Sequence, residues 1–435
     1  MHGAPTAVRA ALACLLLILA GALVGAQGGA PAVPPPGADQ AARQRAVQMA
    51  FAGHEGSGTA WLPGDTPLFG LHQRAGSWEL MWSGSLFAQY VHDAGDRGRS
   101  GSGSVNWGRV LARREAAGGR FGLRAMLSAE PWSIDGCGAP NLLATGGTCG
   151  GEAVQDRQHA RDLFLELAAE YERPVRGALR WQVYAALAGE PALGPVASAH
   201  RTSSLLNPRA PITSDRLDAS PASSGVVTAG VFTTRWKAEA SAFSGRDGDD
   251  TRTDIDLAAL DSFSGRVSFA PGPSLVLQVS GGRVEDVVAA GRTSASATYH
   301  RRLGAYGVWA TTAAWGRRTE SGAATHAFLV ESTAILEEVD TVFARVEVVE
   351  KTSQDLDVPG GATFTVTKGQ AGYTHYLPAW RGISAGLGGS VSAAVVPAAL
   401  KGVYGARVIP GAGVFLAIRG APHGLPPAPP GRAPE

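Results

Sequence analysis

The sequence contains few charged residues, and after its first 24 residues it has no long apolar run. Asp, Glu, Lys and Arg make up 17% of the 435 residues, and the formal net charge is +1. The chain has no basic patch with interleaved aromatics, which excludes a nucleic-acid-binding surface. No later stretch approaches the length of about 18 apolar residues that a membrane-spanning helix needs, so helical spans are excluded from the rest of the chain.

The N-terminus has the pattern of a secretory signal peptide. Arg9 precedes an apolar run over 10–24, and Val24-Gly25-Ala26 supplies small residues for cleavage. The run is short for a membrane anchor, which needs about 20 residues. We therefore expect a cleaved signal peptide at 1–26 and export of the mature chain. The Pro- and Ala-rich residues 27–52 are predicted to form a disordered periplasmic tail.

Cysteine is also scarce, with three residues in the whole chain. Cys14 lies inside the predicted signal peptide, whereas Cys137 and Cys149 lie close together in a glycine-rich stretch. An oxidising compartment favours a disulfide between these two, which in the chain-entropy model contributes about 3 kcal/mol. No His or third Cys stands at ligand spacing beside them. We predict the disulfide, no metal site and no cofactor.

Glycine, by contrast, is abundant, at 58 residues, and from Trp78 onward apolar and polar residues alternate. In 235–243, Trp236 and three alanines share one face, while Lys237 and Glu239 lie on the other. Strict alternation over about ten residues is typical of a transmembrane β-strand, with its apolar side toward lipid. A soluble β-sandwich also alternates, although its strands are usually about 5–6 residues long.

The lengths of the connections separate these two alternatives. Sixteen strands are predicted, at 78–91, 104–113, 119–129, 161–172, 177–189, 224–233, 235–245, 262–270, 274–283, 293–301, 305–316, 325–336, 340–350, 362–376, 380–394 and 411–419. Short links alternate with longer ones at 92–103, 130–160, 190–223, 246–261, 284–292, 317–324, 351–361 and 395–410. Short periplasmic turns alternating with long external loops are typical of bacterial outer-membrane barrels.

The predicted fold class is therefore all-β, a transmembrane antiparallel β-barrel of about sixteen strands. It extends over 53–419, with both termini on the periplasmic side, and 420–435 is predicted to be a disordered C-terminal tail. The candidate pore-lining residues are Glu166, Arg180, Lys237, Glu239, Glu331, Arg345 and Glu347. Arg or Lys facing lipid at mid-membrane costs about 2–4 kcal/mol, which favours the lumen. Charges of both signs either set a field that tunes selectivity or neutralise one another and prop the lumen.

The longest predicted loop, 190–223, contains Asn-Pro and Ala-Pro pairs that favour a defined shape. One interpretation folds it into the barrel as a constriction loop with Arg201, Asn207 and Arg209 near the narrowest point. The other makes it an ordered external cap. The acidic loop 246–261 lacks the correctly placed Gly and Glu of a calcium loop, so a solvated loop, or divalent bridges to lipopolysaccharide, is favoured.

No catalytic residues are predicted. His159, His375 and Ser262 are present, but no motif brings them together, and G-x-S-x-G is absent. We therefore predict that the protein is not an enzyme.

Several strings of the sequence carry a wider resemblance. They are EGSGTAWLP at 55–63, LRAMLS at 123–128, DRQH at 156–159, DLF at 162–164, GEPALGP at 189–195, NP at 207–208, APIT at 210–213, GVVT at 225–228, LDS at 260–262 and AFLVES at 327–332. Together they resemble a functionally uncharacterised family of proteobacterial outer-membrane proteins. The resemblance implies a porin-like barrel, and relatives often accompany copper-handling proteins. Relatives carry histidines where this chain has Ala160-Arg161, Ser214-Asp215 and Ser220-Pro221, which weakens a metal role.

The leading hypothesis is an outer-membrane channel for passive diffusion of small hydrophilic solutes, because a barrel of about sixteen strands leaves an aqueous lumen unless it is plugged. Its expected surroundings are outer-membrane lipid and lipopolysaccharide, with no nucleic-acid partner and a homo-oligomer left open. Two alternatives remain: a metal (copper)-linked envelope protein, and a structural or adhesive barrel with a filled lumen.

Overall fold

The computed structural model describes residues 56–134, 136–158, 160–217, 223–246, 250–286, 288–304, 307–420 and 422–423. Its strands are β1 (Leu68–Phe69), β2 (Leu71–Ala75), β3 (Trp78–Asp93), β4 (Ser100–Ala116), β5 (Gly119–Leu127), β6 (Ala139–Cys149), β7 (Glu152–Gln158), β8 (Phe164–Arg176), β9 (Leu179–Gly189), β10 (Ser223–Phe232), β11 (Trp236–Phe243), β12 (Ser262–Gly272), β13 (Leu275–Val284), β14 (Ala290–Leu303), β15 (Gly307–Glu320), β16 (Ala323–Leu336), β17 (Asp340–Thr352), β18 (Thr363–Tyr376), β19 (Ile383–Val395), β20 (Val408–Gly420) and β21 (Pro422–His423). The helices are α1 (Glu130–Ser133), α2 (Ser214–Leu217), a 3-10 turn (Ala398–Leu400) and α3 (Lys401–Tyr404).

The wall is a closed antiparallel barrel in which each long strand pairs with the next long strand along the chain. Among the described residues, sixteen long strands form it, namely β3 to β5 and β8 to β20, and the short strand β2 adds to it beside β3. Each predicted strand overlaps one of these, so the predicted fold class is confirmed. No helix among these residues is long and apolar enough to cross a membrane.

One predicted long connection is wrong. The segment 317–324 is not a loop, because β15 and β16 extend through it and leave the tight turn Ser321–Gly322. Both turn residues have positive φ, at 49° and 82°, as a tight hairpin turn requires. The polar residues of 317–320 look loop-like in sequence, but strand ends that extend beyond an apolar band tolerate polar side chains on both faces.

Alternation along the strands sorts side chains between the lumen and the exterior. In β12, Phe263, Val267 and Phe269 are 60%, 56% and 45% exposed on the outside. Ser264 and Arg266, which alternate with them, are buried on the inside. This is the reverse of a soluble protein, whose apolar residues turn inward. The strand sequences therefore build a barrel with an apolar exterior and a polar interior.

The barrel closes on β3, which has two partners on the same edge. Strand β20 pairs with its second half, from Arg419 opposite Ser85 to Gly411 opposite Asp93. Strand β2 pairs with its first half, from Ala75 opposite Trp78 to Leu71 opposite Trp82. β2 thus continues the wall where β20 ends. The first barrel strand begins, and the last one finishes, at the end of the barrel that carries the short turns. We call this the short-turn end and the opposite one the long-loop end.

The connection between β5 and β8 contains α1 and the hairpin β6–β7, in which Cys137 and Cys149 are joined by a disulfide bond. Leu142 and Leu143 of this hairpin are buried with Val349, Val366 and Tyr404 in an apolar cluster toward the long-loop end. The predicted signal peptide at 1–26 and tail at 27–52 lie outside the described residues. Of the predicted tail at 420–435, Gly420 belongs to β20, Pro422–His423 pairs with Leu68–Phe69, and the rest lies outside the described residues.

Candidate functional site

The connection between β9 and β10, which we call the lumen loop, lies inside the barrel. It is described over 190–217. Its entry is fixed by backbone N–H groups that donate to wall serines, Ala192 to Ser241 Oγ at 2.7 Å and Gly194 to Ser280 Oγ at 2.8 Å. Short polar side chains on the inner wall supply the acceptors that a buried loop backbone needs. The external-cap interpretation of this loop is therefore not what the structure contains.

Arg201 attaches the middle of the lumen loop to the wall. Its Nε lies 2.5 Å from Glu331 Oε1, and Arg345 Nε lies 3.0 Å from the other oxygen of that carboxylate. The side chains of these three residues are 1%, 1% and 2% exposed. Removing one partner from such a buried pair costs about 3–5 kcal/mol because the remaining charge is uncompensated. Arg201, Glu331 and Arg345 therefore fix the position of the loop and do not face open space.

Asn207 and Arg209 attach the next part of the loop to other strands. Asn207 Nδ2 donates to Gln370 Oε1 at 3.0 Å, and Arg209 Nη1 donates to Asp93 Oδ1 at 2.8 Å. Arg345 Nη1 also donates to the Arg209 carbonyl at 2.8 Å. The three predicted constriction-loop residues thus lie within the lumen and bind wall residues on different strands.

Glu347 binds the end of the lumen loop. Its Oε1 accepts hydrogen bonds from Thr213 N and Thr213 Oγ1, both at 3.0 Å. Nearby, Lys351 Nζ lies 2.7 Å from Asp215 Oδ2 in α2. Although burial alone would raise it, the charges of Arg216 and Lys351 hold the pKa of Asp215 at about 2. Asp215 is therefore ionised at any physiological pH and pairs with the wall cation.

A second segment occupies the lumen, and sequence reasoning missed it. Residues 56–67, which we call the N-terminal segment, run inside the barrel to the short-turn end, where Asp65 N donates to Pro273 O at 2.9 Å. Lys237 Nζ donates to the carbonyl of Thr59, and Arg266 Nη2 donates to its Oγ1 at 3.1 Å. The segment has no strand periodicity, and its small residues (Gly, Ser, Thr, Ala) are the only signal that it can fit a narrow space.

The remaining candidate pore-lining residues are also paired. Glu239 joins Arg266 at 2.9 Å and Lys237 at 3.4 Å. Glu166 Oε1 accepts a hydrogen bond from Tyr184 Oη at 2.9 Å. Arg180 is half-buried toward the short-turn end, 3.2 Å from Glu172. Their role in lining a pore stays a prediction.

The ion-pair cluster around Glu170 was not predicted from the sequence. Glu170 accepts from Arg113 Nη2 at 2.7 Å and from Arg124 Nη2 at 2.6 Å, across β4, β5 and β8. Arg124 lies between Leu123 and Ala125, and this alternation could have placed it on the inner face, whereas Arg113 is followed by Arg114 and gives no such signal.

Open space remains beside the lumen loop along β3 to β5 and β8, and toward the long-loop end it also reaches Arg292 on β14 and Arg318 on β15. A cavity of about 250 Å³, the long-loop cavity, is lined by Met126, Arg161, Glu166, Ala199 and His200, among others. A smaller cavity of about 70 Å³, the short-turn cavity, is lined by Ser83, Trp107, Arg109, Ala199 and His200, among others. Ala199 and His200 border both, so the two cavities approach each other at these residues.

His200 touches the wall at this junction. Its Nε2 lies 3.1 Å from Met126 Sδ, and its ring centroid lies 5.0 Å from that of Trp107. Burial is the largest cause that lowers its pKa well below the usual value, followed by the charges of Arg109, Arg161 and Arg124. The imidazole is therefore neutral at pH 7. A lone histidine without a motif gave no signal in the sequence, and His200 was not among the predicted site residues.

No family model matches the sequence, and no curated protein matches it. Similar solved structures include OmpF of Salmonella typhi in complex with daunomycin, with a TM-score of 0.48 and 9% identity over 80% of this chain and 100% of that one. OmpT of Vibrio cholerae is also similar, with a TM-score of 0.45 and 10% identity over 80% of this chain and 100% of that one. The outer membrane channel DcaP of Acinetobacter baumannii has a TM-score of 0.43 and 8% identity over 81% of this chain and 100% of that one.

The barrel that the sequence resemblance implied is confirmed, whereas the copper-associated family itself stays a prediction. Within the described ranges, no three His, Cys, Asp or Glu side chains form a group that could hold a metal ion.

Proposed function

We propose that the protein is an outer-membrane channel through which small hydrophilic solutes diffuse along the open side of the lumen loop. The observation that carries this proposal is the pair of cavities inside a barrel whose exterior is apolar. A polar interior with a lining of both signs of charge suits hydrated solutes. The proposal places the long loops outside the cell and the short turns in the periplasm.

The exterior of the barrel supports a membrane location. Many large apolar side chains are exposed around the wall, among them Leu187, Val267, Val279, Val330, Val346, Leu387, Val391 and Leu416. Soluble monomers rarely expose contiguous apolar patches above a few hundred Å². Trp236, Trp309 and Trp380 are exposed as well, and all three lie at or near the short-turn end. Exposed aromatics at a strand end are typical of the girdle at a membrane interface.

A barrel with a filled lumen is the second candidate, because the lumen loop and the N-terminal segment occupy much of the interior. The two candidates differ in one measurable property. A channel conducts ions through the space beside Ala199 and His200, whereas a filled structural barrel does not. The copper-linked alternative has no comparable observation in its favour among the described residues.

Single-channel recording of the purified barrel in a planar bilayer tests the proposal. The native protein should produce stepwise currents, and Ala199→Trp should reduce them because the indole would occupy the junction of the two cavities. Ala240→Trp adds the same side chain at an outward-facing position of β11 and should leave the currents unchanged. The absence of stepwise current in folded native protein would contradict the channel and favour the filled barrel. Outer-membrane fractionation of the expressed protein checks the location independently.

A further inference from the structure

The lumen loop leaves two cavities beside the wall, and these cavities approach each other at His200. We propose that His200 is the gate of the channel, an imidazole ring that closes the passage between the long-loop cavity and the short-turn cavity and sets the largest solute that can pass. This inference rests on the proposed channel function. It adds the residue that determines size selectivity, which neither the sequence motifs nor the fold assigns.

His200 lies where the two cavities approach each other. His200 and Ala199 line both cavities, and the wall opposite them supplies Met126 to one cavity and Trp107 to the other. The imidazole spans the gap and contacts both, with Nε2 3.1 Å from Met126 Sδ and a centroid distance of 5.0 Å to Trp107. Since Ala199 has only a methyl group, His200 is the larger of the two side chains that border both cavities.

The backbone that carries the ring is fixed. His200 N and Arg201 N both donate to the Ala197 carbonyl at 2.9 Å, which forms a tight turn. The adjacent Arg201 is held by Glu331, and its Nη1 donates to Val196 O at 2.7 Å. Opening the passage therefore requires rotation of the His200 side chain or displacement of the wall residues, and not movement of the loop.

The contacts that hold the ring are weak enough to allow rotation. Sulfur–aromatic and aromatic–aromatic contacts are weak compared with the buried ion pair that holds Arg201. His200 is also partly exposed, unlike Arg201, Thr202 and Ser203 that follow it. A rotamer change on a rapid timescale therefore suffices to connect the cavities.

The electrostatic setting favours selection by size over selection by charge at this point. Burial, and after it the charges of Arg109 on β4, Arg161 before β8 and Arg124 on β5, lower the pKa of the imidazole well below its usual value. Arg124 and Arg161 are themselves paired, with Glu170 at 2.6 Å and Glu130 at 3.3 Å. The closing group thus offers a passing solute an uncharged surface between paired charges.

The test compares the native protein with His200→Ala, His200→Trp and the matched control His375→Ala. His375 is exposed on the outer face of β18, so its removal makes the same chemical change outside the lumen. Single-channel conductance and liposome swelling with sugars of increasing size are measured for each. We expect His200→Ala to raise conductance by about twofold or more and to admit larger sugars, because pore diameter governs permeation. His200→Trp should lower both, and the control should match the native protein.

The outcomes separate the gate from the channel. Native currents that are unchanged in both His200 variants overturn the gate and leave the channel standing. A lack of current in the native protein and in every variant overturns both. If His200→Ala does not fold, His200→Trp decides alone: a reduced current supports the gate and an unchanged current overturns it.

Discussion

The lumen loop meets the barrel wall differently on its two sides. Toward β16 and β17, Arg201 is buried against Glu331 and Arg345 with almost no exposed surface. Toward β4 and β5, Ala199 and His200 are partly exposed and border two cavities. Charge and complete burial fix the loop on one side, while a methyl group and a neutral ring leave space on the other. The loop is thus attached firmly to one part of the wall, while cavities remain between it and another part.

The strongest test of this comparison removes the charge on the fixed side. Glu331→Gln leaves Arg201 and Arg345 buried without their carboxylate, and we expect the free energy of unfolding to fall by about 3–5 kcal/mol. Freed from the wall, the loop should also admit larger and noisier currents. Urea unfolding of the folded barrel, followed by tryptophan fluorescence, measures the stability.

Glu172→Gln is the matched control for that experiment. Glu172 also binds two arginines, Arg120 at 2.6 Å and Arg180 at 3.2 Å, but the group is partly exposed at the short-turn end. Its loss should lower the free energy of unfolding by no more than about 1 kcal/mol. Equal losses for the two variants would remove the distinction between a fixed and an open side.

Two adjacent leucines of the lumen loop make different apolar contacts. Leu206 is fully buried with Val308 and Ile335 of the wall, whereas Leu205 is only partly buried and borders the short-turn cavity. We expect Leu206→Ala to lower the free energy of unfolding by about 2–5 kcal/mol, because it leaves a void in a packed contact. Leu205→Ala should have a smaller effect and should enlarge the passage. A reversed order, measured by the same urea unfolding, would contradict the assignment of the two sides.

The smallest expected effect concerns pH on the open side. The folded pKa of His200 is lowered, by burial first and then by Arg109, Arg161 and Arg124, whereas in the unfolded chain it is about 6.5. As pH falls below 6.5, the unfolded chain binds a proton that the folded protein excludes. The free energy of unfolding should therefore decrease by up to about 1.4 kcal/mol per pH unit, until the folded pKa is reached.

His200→Gln removes the contribution of His200 to the pH dependence of stability and serves as the reference. The stability difference between native protein and variant should be constant above pH 7 and should shift in favour of the variant between pH 7 and pH 5. A difference that does not change over this range would show that His200 titrates normally.

The wall was predictable from the sequence, and the contents of the lumen were only partly so. Alternation identifies all sixteen strands because lipid outside and polar groups inside impose a period of two on every strand. The same rule places Glu331 and Arg345 on an inner face, but it does not give their partner, since Arg201 lies in a loop without periodicity. The turn at Ser321–Gly322 was missed because polar strand ends resemble a loop.

The N-terminal segment and His200 were not predictable for a related reason. Their placement depends on contacts between residues far apart in the chain, such as Thr59 with Lys237 and His200 with Met126. Neither carries a local pattern, because small residues and a single histidine fit many environments. The long-loop cavity and the short-turn cavity are lined by both the N-terminal segment and the lumen loop. Neither cavity can therefore be identified from one short stretch of the sequence.

The double pairing of β3 has a consequence for the order in which the barrel assembles. β2 and β3 form a local hairpin between neighbouring residues, whereas β20 lies more than 300 residues later in the chain. The early hairpin covers the first part of an edge that would otherwise be free to pair with another chain. It also leaves only the stretch from Ser85 to Asp93 for the final strand. β2 therefore limits where β20 can pair with β3, and this constrains the register in which the barrel closes.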